Sequence, residues 1–99
     1  MQKRYFQNEP YMTQAVASAL PANVLNAIWQ EVQTMNIDNV DPLQRFELSA
    51  GDGEQIIRHI QKSPYYEKEI IIKSDAPITD VVYIADDGSR STVMFSDEY

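Results

Sequence analysis

The sequence predicts an α+β fold, with one amphipathic helix packed on a four- to five-stranded, mainly antiparallel sheet. Three observations lead there. Apolar residues recur at helical spacing over about residues 21–35. The period changes to two from Leu43 onward, and an Asp-Gly turn separates two β-rich runs near the C-terminus.

The segment before the helix is short and mixed. Tyr11, Thr13, Ala15 and Ala17 alternate with Met12, Gln14, Val16 and Ser18, which reads as an extended start. Pro21 suits the first helical turn, where its missing N–H has no partner to lose. Val24, Ile28, Val32 and Met35 then share one face, with Leu25 and Trp29 beside them. Asn23, Asn26, Gln30, Gln33 and Thr34 form the outer face, which is rich in amides and carries Glu31 as its one charge. Asn36 is a suitable stop, because Asn tolerates the left-handed conformation in which helices often end.

After Ile37–Pro42, the residues Gln44, Phe46 and Leu48 alternate with Leu43, Arg45 and Glu47, so Phe46 and Leu48 point inward. Ser49–Gly53 reads as a glycine-rich turn. The strand after it, about residues 54–61, sends Ile56 and Ile60 one way and Ile57 and His59 the other. Pro64 interrupts, Glu67–Lys73 makes a third strand, and Ser74–Pro77 ends it. Asp80–Ala85 and Arg90–Phe95 flank Asp86-Asp87-Gly88-Ser89 as a hairpin.

Ninety-nine residues without repeats or linkers predict a single domain spanning 1–99. A chain of this size hides roughly 60–65% of its unfolded surface on folding, enough for one core without staples. With no cysteine, disulfides, thiolate metal sites and cysteine nucleophiles are excluded. No apolar run reaches the roughly 18 residues that span a bilayer, and the basic pair Lys3-Arg4 is not followed by one. A cytoplasmic location is therefore expected.

The net charge of −7 is concentrated in one part of the chain. Lys3 and Arg4 offset Glu9 and Glu31, whereas residues 38–99 set thirteen acids against six bases. A field of this sign repels phosphate backbones and disfavours direct nucleic-acid binding. It is explained by solubility alone, or by attraction to a protein partner with a basic surface.

The chemistry of a catalytic site is hard to assemble. His59 is the only histidine, no serine lies in a nucleophile elbow, and zinc would need carboxylates around that one imidazole. His59 beside Arg58 reads as a surface or half-buried residue. Asp86-Asp87-Gly88 lacks the alternating acids and closing glutamate of a calcium loop, so turn chemistry accounts for it. No cofactor or metal is expected, and the chain is not expected to be an enzyme.

Six tyrosines are a more suggestive signal. Tyr65-Tyr66 follows Pro64 at a strand boundary, where at least one ring is expected to stay exposed, either as a contact for a partner or simply covering the sheet edge. Exposed tyrosines favour protein interfaces because they supply area at low entropic cost. The expected function is thus a protein–protein interaction module, contacting its partner through Tyr65, Tyr66, Asp80, Asp86, Asp87, Asp97 and Glu98. A homodimer is a second expectation.

The chain resembles the bacterial family catalogued as domain of unknown function 960. The matching pieces are Tyr11-Met12-Thr13 before Val16, Leu20-Pro21 opening a helix with Leu25 and Trp29, and the strand Leu43–Ser49. Gln61 with Pro64 follows, then the hairpin around Asp86-Asp87-Gly88 closing on Met94, and the ending Glu98-Tyr99. Two positions depart from the family pattern: Gln14-Ala15 stand in place of an arginine-glycine pair, and Lys62 in place of a glutamate. The resemblance implies a compact α+β fold, a cytoplasmic setting and an association with Gram-positive bacteria and their mobile elements. It transfers no activity. Together with the acidity it suggests an alternative function: a phage or mobile-element inhibitor of a host nucleic-acid-binding defence protein, an anti-CRISPR-like mimic of nucleic acid.

Overall fold

In the computed structural model, which describes residues 5–7 and 9–99, the chain runs β1 (Tyr11–Met12), α1 (Gln14–Ala19), α2 (Ala22–Gln33), β2 (Leu43–Gly51), β3 (Glu54–Gln61), β4 (Tyr66–Lys73), β5 (Asp80–Asp86) and β6 (Ser91–Phe95). A single 3-10 turn, Ser96–Glu98, follows. The six strands form one sheet in the order β1-β6-β5-β2-β3-β4. Lys3-Arg4 lies outside the described residues.

The class is α+β, and its details correct the simpler expectation. Two helices and six strands are present among the described residues, and the sheet is mixed because β1 runs parallel to β6. The added helix is α1, where alternation suggested an extended segment. The Thr13 hydroxyl accepts a hydrogen bond from the Val16 amide at 3.2 Å, an N-cap that outweighs the weak period-two pattern. Its short turn buries Val16, and Leu20 follows into the core. Pro21 is the cap of α2 rather than part of its first turn.

The strands keep the inward and outward sets that alternation dictates. Phe46 and Leu48 on β2, Ile57 and His59 on β3, Val82 and Ile84 on β5, and Val93 and Phe95 on β6 are buried beneath the helices. Val24, Ile28 and Val32 of α2 complete this core with Phe6, whose ring meets Trp29 edge-on at 6.3 Å. The β2–β3 turn is tighter than expected. Both strands pair as far as Gly51 and Glu54, leaving Asp52-Gly53 at the tip with Gly53 at φ +70°.

Side-chain amides tie the loops to this frame. Gln55 accepts from the Ile78 amide at 2.9 Å and donates to the Ile78 and Ser49 carbonyls, each at 2.9 Å. The N-terminal segment is held by Asp86, which accepts from the Phe6 amide at 2.9 Å and from the Ser91 hydroxyl at 2.8 Å. Phe6 itself sits in the left-handed region at φ +62°, a strain stabilised by that bond and by burial of its ring.

Candidate functional site

Two polar assemblies stand out, one sealed between helix and sheet and one on the opposite face of the sheet. The sealed assembly begins at Glu31. Helical spacing brings Glu31 to the edge of the buried stripe rather than to the outer face, and it is 4% exposed. Its Oε2 lies 2.7 Å from Nδ1 of His59, which is buried completely, against the expectation of a surface or half-buried ring. Tyr66 donates its hydroxyl to the same Oε2 at 2.9 Å, and Lys68 Nζ lies 3.2 Å from Oε1. Phe46 stacks on the imidazole at 4.4 Å.

On the other side, His59 Nε2 lies 2.6 Å from Gln44 Oε1. Gln44 Nε2 donates to the Asp41 carbonyl and to Gln61 Oε1, both at 2.7 Å, and the Asp41 amide also donates to Gln61 Oε1 at 2.7 Å. The main chain of Asp41 therefore fixes both amide orientations. Gln44 presents an oxygen to His59, so Nε2 carries a proton.

That orientation decides the charge of the pair. Burial of the His59 ring penalises its charged form, and the Glu31 carboxylate on Nδ1 and the Gln44 oxygen on Nε2 oppose that penalty. Burial raises the Glu31 carboxyl, but hydrogen bonds from His59, Tyr66 and Lys68 outweigh it and leave Glu31 below the ordinary carboxylate range. A neutral ring facing an ionised Glu31 would carry its proton on Nδ1, leaving a bare Nε2 against the Gln44 oxygen. The Gln44 amide, held by the Asp41 main chain, disfavours that state. With three donors around it, Glu31 is the carboxylate and His59 is protonated on both nitrogens.

Because both ring nitrogens are occupied and no ring atom reaches solvent, the histidine has no free position from which to act on a substrate. The assembly joins α2, β2, β3, β4 and the loops at Asn39–Asp41 and Pro64, where Gln61 Nε2 donates to the Pro64 carbonyl at 2.9 Å. Among the described residues no group of three or more His, Asp or Glu is arranged to hold a metal ion.

The second assembly lies on the face turned away from the helices. Tyr83, Arg45 and Ile60 stand in register across β5, β2 and β3, with Leu43 two residues from Arg45 on the same face. With Asp41, Glu47 and Lys62 they line a groove of about 420 Å³. Arg45 donates to the Tyr83 hydroxyl at 2.9 Å, and Tyr99 meets the Tyr83 ring edge-on at 5.2 Å.

A ladder of alternating charge continues from Arg45 to Glu47 (3.0 Å), to Arg58 (3.5 Å) and to Glu67 (2.7 Å), where Tyr65 also donates its hydroxyl. Arg58 and Tyr65 hold the Glu67 carboxyl down at about 2. Each exposed pair is weak, so the ladder orients side chains more than it stabilises the fold.

The residues singled out from sequence fall into separate places. Tyr65 is exposed on the charge ladder, whereas Tyr66 turns inward and holds Glu31. Asp86 anchors Phe6 and Ser91. Asp87 accepts from the Ser89 and Arg90 amides at 2.9 Å each, which brings it down to about 2. Glu98 accepts from the Thr13 hydroxyl at 2.8 Å and the Phe95 amide at 2.9 Å. Asp80 bonds only its neighbour's amide at Val81, and Asp97 is exposed. Val82 pairs with Phe95, so Asp80 and Asp97 lie at one end of the β5–β6 hairpin and Asp86-Asp87 at the other, roughly 20 Å away along the strand.

The Glu31–His59–Gln44–Gln61 chain was not read from the sequence, although it left a trace there. The alternation that sends Phe46 and Leu48 inward also sends Gln44 inward, and an amide at a core position demands a buried partner.

Fold and polar assemblies together define a small α+β domain built on a mixed six-stranded sheet, with helices on one face and a grooved second face. The chain belongs to the family described as Staphylococcal protein of unknown function (DUF960), whose model matches residues 9–98. It is also similar to a protein of unknown function from Enterococcus faecalis with a known crystal structure. The two are 20% identical over 97% of this chain and 96% of the other, with a TM-score of 0.77, and the likeness is one of fold. No curated protein matches the chain.

Proposed function

We propose that the chain is a non-enzymatic interaction module that binds a protein partner on the grooved face of its sheet. The observation that carries this reading is Tyr83. Its ring stands half-buried in a groove with Leu43 and Ile60, braced by Arg45 on one side and Tyr99 on the other. Tyrosine and arginine held in place at the centre of a partly apolar patch are what protein interfaces concentrate their binding energy on. The net charge of −7 favours a partner with a basic surface, and of Asp80, Asp86, Asp87, Asp97 and Glu98 it is Asp80 and Asp97 that are least engaged in the fold.

Affinity capture with the tagged chain, followed by titration of the recovered protein against variants, tests the reading. Tyr83→Ala and Arg45→Ala should each weaken binding at least tenfold, while Asn26→Ala on the outer face of α2 leaves it unchanged. Equal binding by all three would overturn the assignment of this face.

A further inference from the structure

We propose that β4 is a dimerisation edge, on which a second copy of this chain pairs its own β4 antiparallel to the first about a two-fold axis through Ile71. This surface is distinct from the grooved face, and neither reading depends on the other.

β4 ends the sheet: it pairs with β3 on one side and with no described strand on the other. Main-chain direction follows from one bond. Hydrogen-bonded and non-bonded residues alternate along an antiparallel strand. The Ser74 amide donates to the Gly53 carbonyl at 3.1 Å, in register with the Glu54–Lys73 pair, so the even-numbered residues of β4 turn their N–H and C=O groups to β3. Glu67, Glu69, Ile71 and Lys73 therefore present theirs at the outer edge. Only the Lys73 carbonyl has a described partner there, Asn23 Nδ2 at 3.3 Å.

A row of unpaired main-chain groups is a template for strand addition, and charged residues are the usual defence against it. Here the charges select a partner instead of repelling every one. In an antiparallel pairing centred on Ile71, Glu69 of one copy stands opposite Lys73 of the other, and the symmetry repeats that pair. Ile71 meets Ile71 on the grooved face, and Ile70 meets Ile72 twice on the helix face. Opposite charges thus flank a run of β-branched pairs with no charge set against an isoleucine. Shifting the centre to Ile70 keeps an opposite-charge pair, Glu67 with Lys73, but sets Glu69 against Ile71 and Lys68 against Ile72. Shifting it to Ile72 sets Ile71 against Lys73. Ile71, half exposed in the single chain, is the residue this closure would cover. The contact is isologous and closes at two copies, so it yields a dimer and no fibre.

Sedimentation equilibrium over a wide concentration range should show a monomer–dimer equilibrium. Lys73→Glu should weaken dimerisation at least tenfold, and the charge swap Glu69→Lys with Lys73→Glu should restore it. Because the chain has no cysteine, Ile71→Cys supplies a single probe at the axis. A hydrogen-bonded antiparallel pair holds its Cα atoms about 5.5 Å apart, within disulfide reach. Ile71→Cys should crosslink to a covalent dimer under mild oxidant, and Asn26→Cys should not. Circular dichroism melts of each variant verify that it is folded. A strictly monomeric wild type overturns the proposal. So does a dimer indifferent to Lys73→Glu, or one whose charge swap fails to recover pairing in a folded protein.

Discussion

Glu31 and His59 meet at 2.7 Å between α2 and β3, joined by a proton that neither solvent nor any substrate can reach. Removing one partner of such a buried pair leaves the other charge without compensation, at a cost of about 3–5 kcal/mol. Glu31→Gln is expected to lose stability on that scale in urea unfolding. The double variant Glu31→Leu with His59→Phe is expected to lose less than the two single changes added together. A loss below about 1 kcal/mol for Glu31→Gln would contradict the ion pair.

Protonation of the ring is directly observable. Nitrogen NMR at neutral pH should find both His59 nitrogens carrying a proton, because Gln44 accepts from Nε2 and Glu31 from Nδ1. A ring with a bare Nε2 would require the Gln44 amide to be reversed, which the Asp41 main chain opposes.

Acid should destabilise the fold. Glu31, Glu67 and Asp87 all have carboxyls held below their ordinary values of 4.5, 4.5 and 3.8, the last two at about 2. The unfolded chain therefore binds more protons than the folded one across this range. Their stabilisation is complete above about pH 5 and is lost as pH falls toward 2. Thermal midpoints measured at steps between pH 5 and pH 2 should fall throughout. A flat profile would show that these carboxylates contribute nothing to stability.

Asp86→Ala frees the Phe6 amide, the Ser91 hydroxyl and the Gly88 amide, three bonds to a charged acceptor. A loss of about 1.5–3 kcal/mol is expected. Hydrogen exchange at Phe6 should rise more steeply than in β2 or β3. Uniform acceleration would mean that the anchor serves the whole fold and not the N-terminal segment.

Asp80→Asn with Asp97→Asn should leave stability within about 0.5 kcal/mol, since neither acid bonds beyond its own neighbourhood. The pair is therefore a clean probe of recognition. If partner binding weakens in this variant and falls steeply with salt, the nucleic-acid-mimic alternative gains ground. Unchanged binding removes this acidic end from the interface.

The α+β class, the span of α2 and the inward sets of β2 and β3 were legible because each rests on a local period. Phe46, Ile57 and His59 fell on the faces alternation assigned to them. The position of Glu31 was not legible. On the wheel it borders the apolar stripe, and only the arrival of His59, Tyr66 and Lys68 from other strands makes its burial tolerable. β1 was equally hidden, since a two-residue strand has no period and exists through its parallel contact with β6. The candidate site shows the same division. That one ring of Tyr65-Tyr66 stays exposed is legible at a strand boundary, but which ring it is, and the groove around Tyr83, depend on a register among strands that no local pattern contains.

The order of strands also carries a kinetic consequence. β2, β3 and β4 are neighbours both along the chain and across the sheet, so their turns close short loops at low entropic cost. The N-terminal segment docks instead through contacts such as Thr13 to Glu98, 85 residues apart. Among the described residues its strand β1 pairs only with β6, so it has a docking edge only once β6 is in place. It is therefore expected to settle last in folding and to open first in native-state hydrogen exchange, uncovering Val93 and Phe95 while the β2–β4 meander persists.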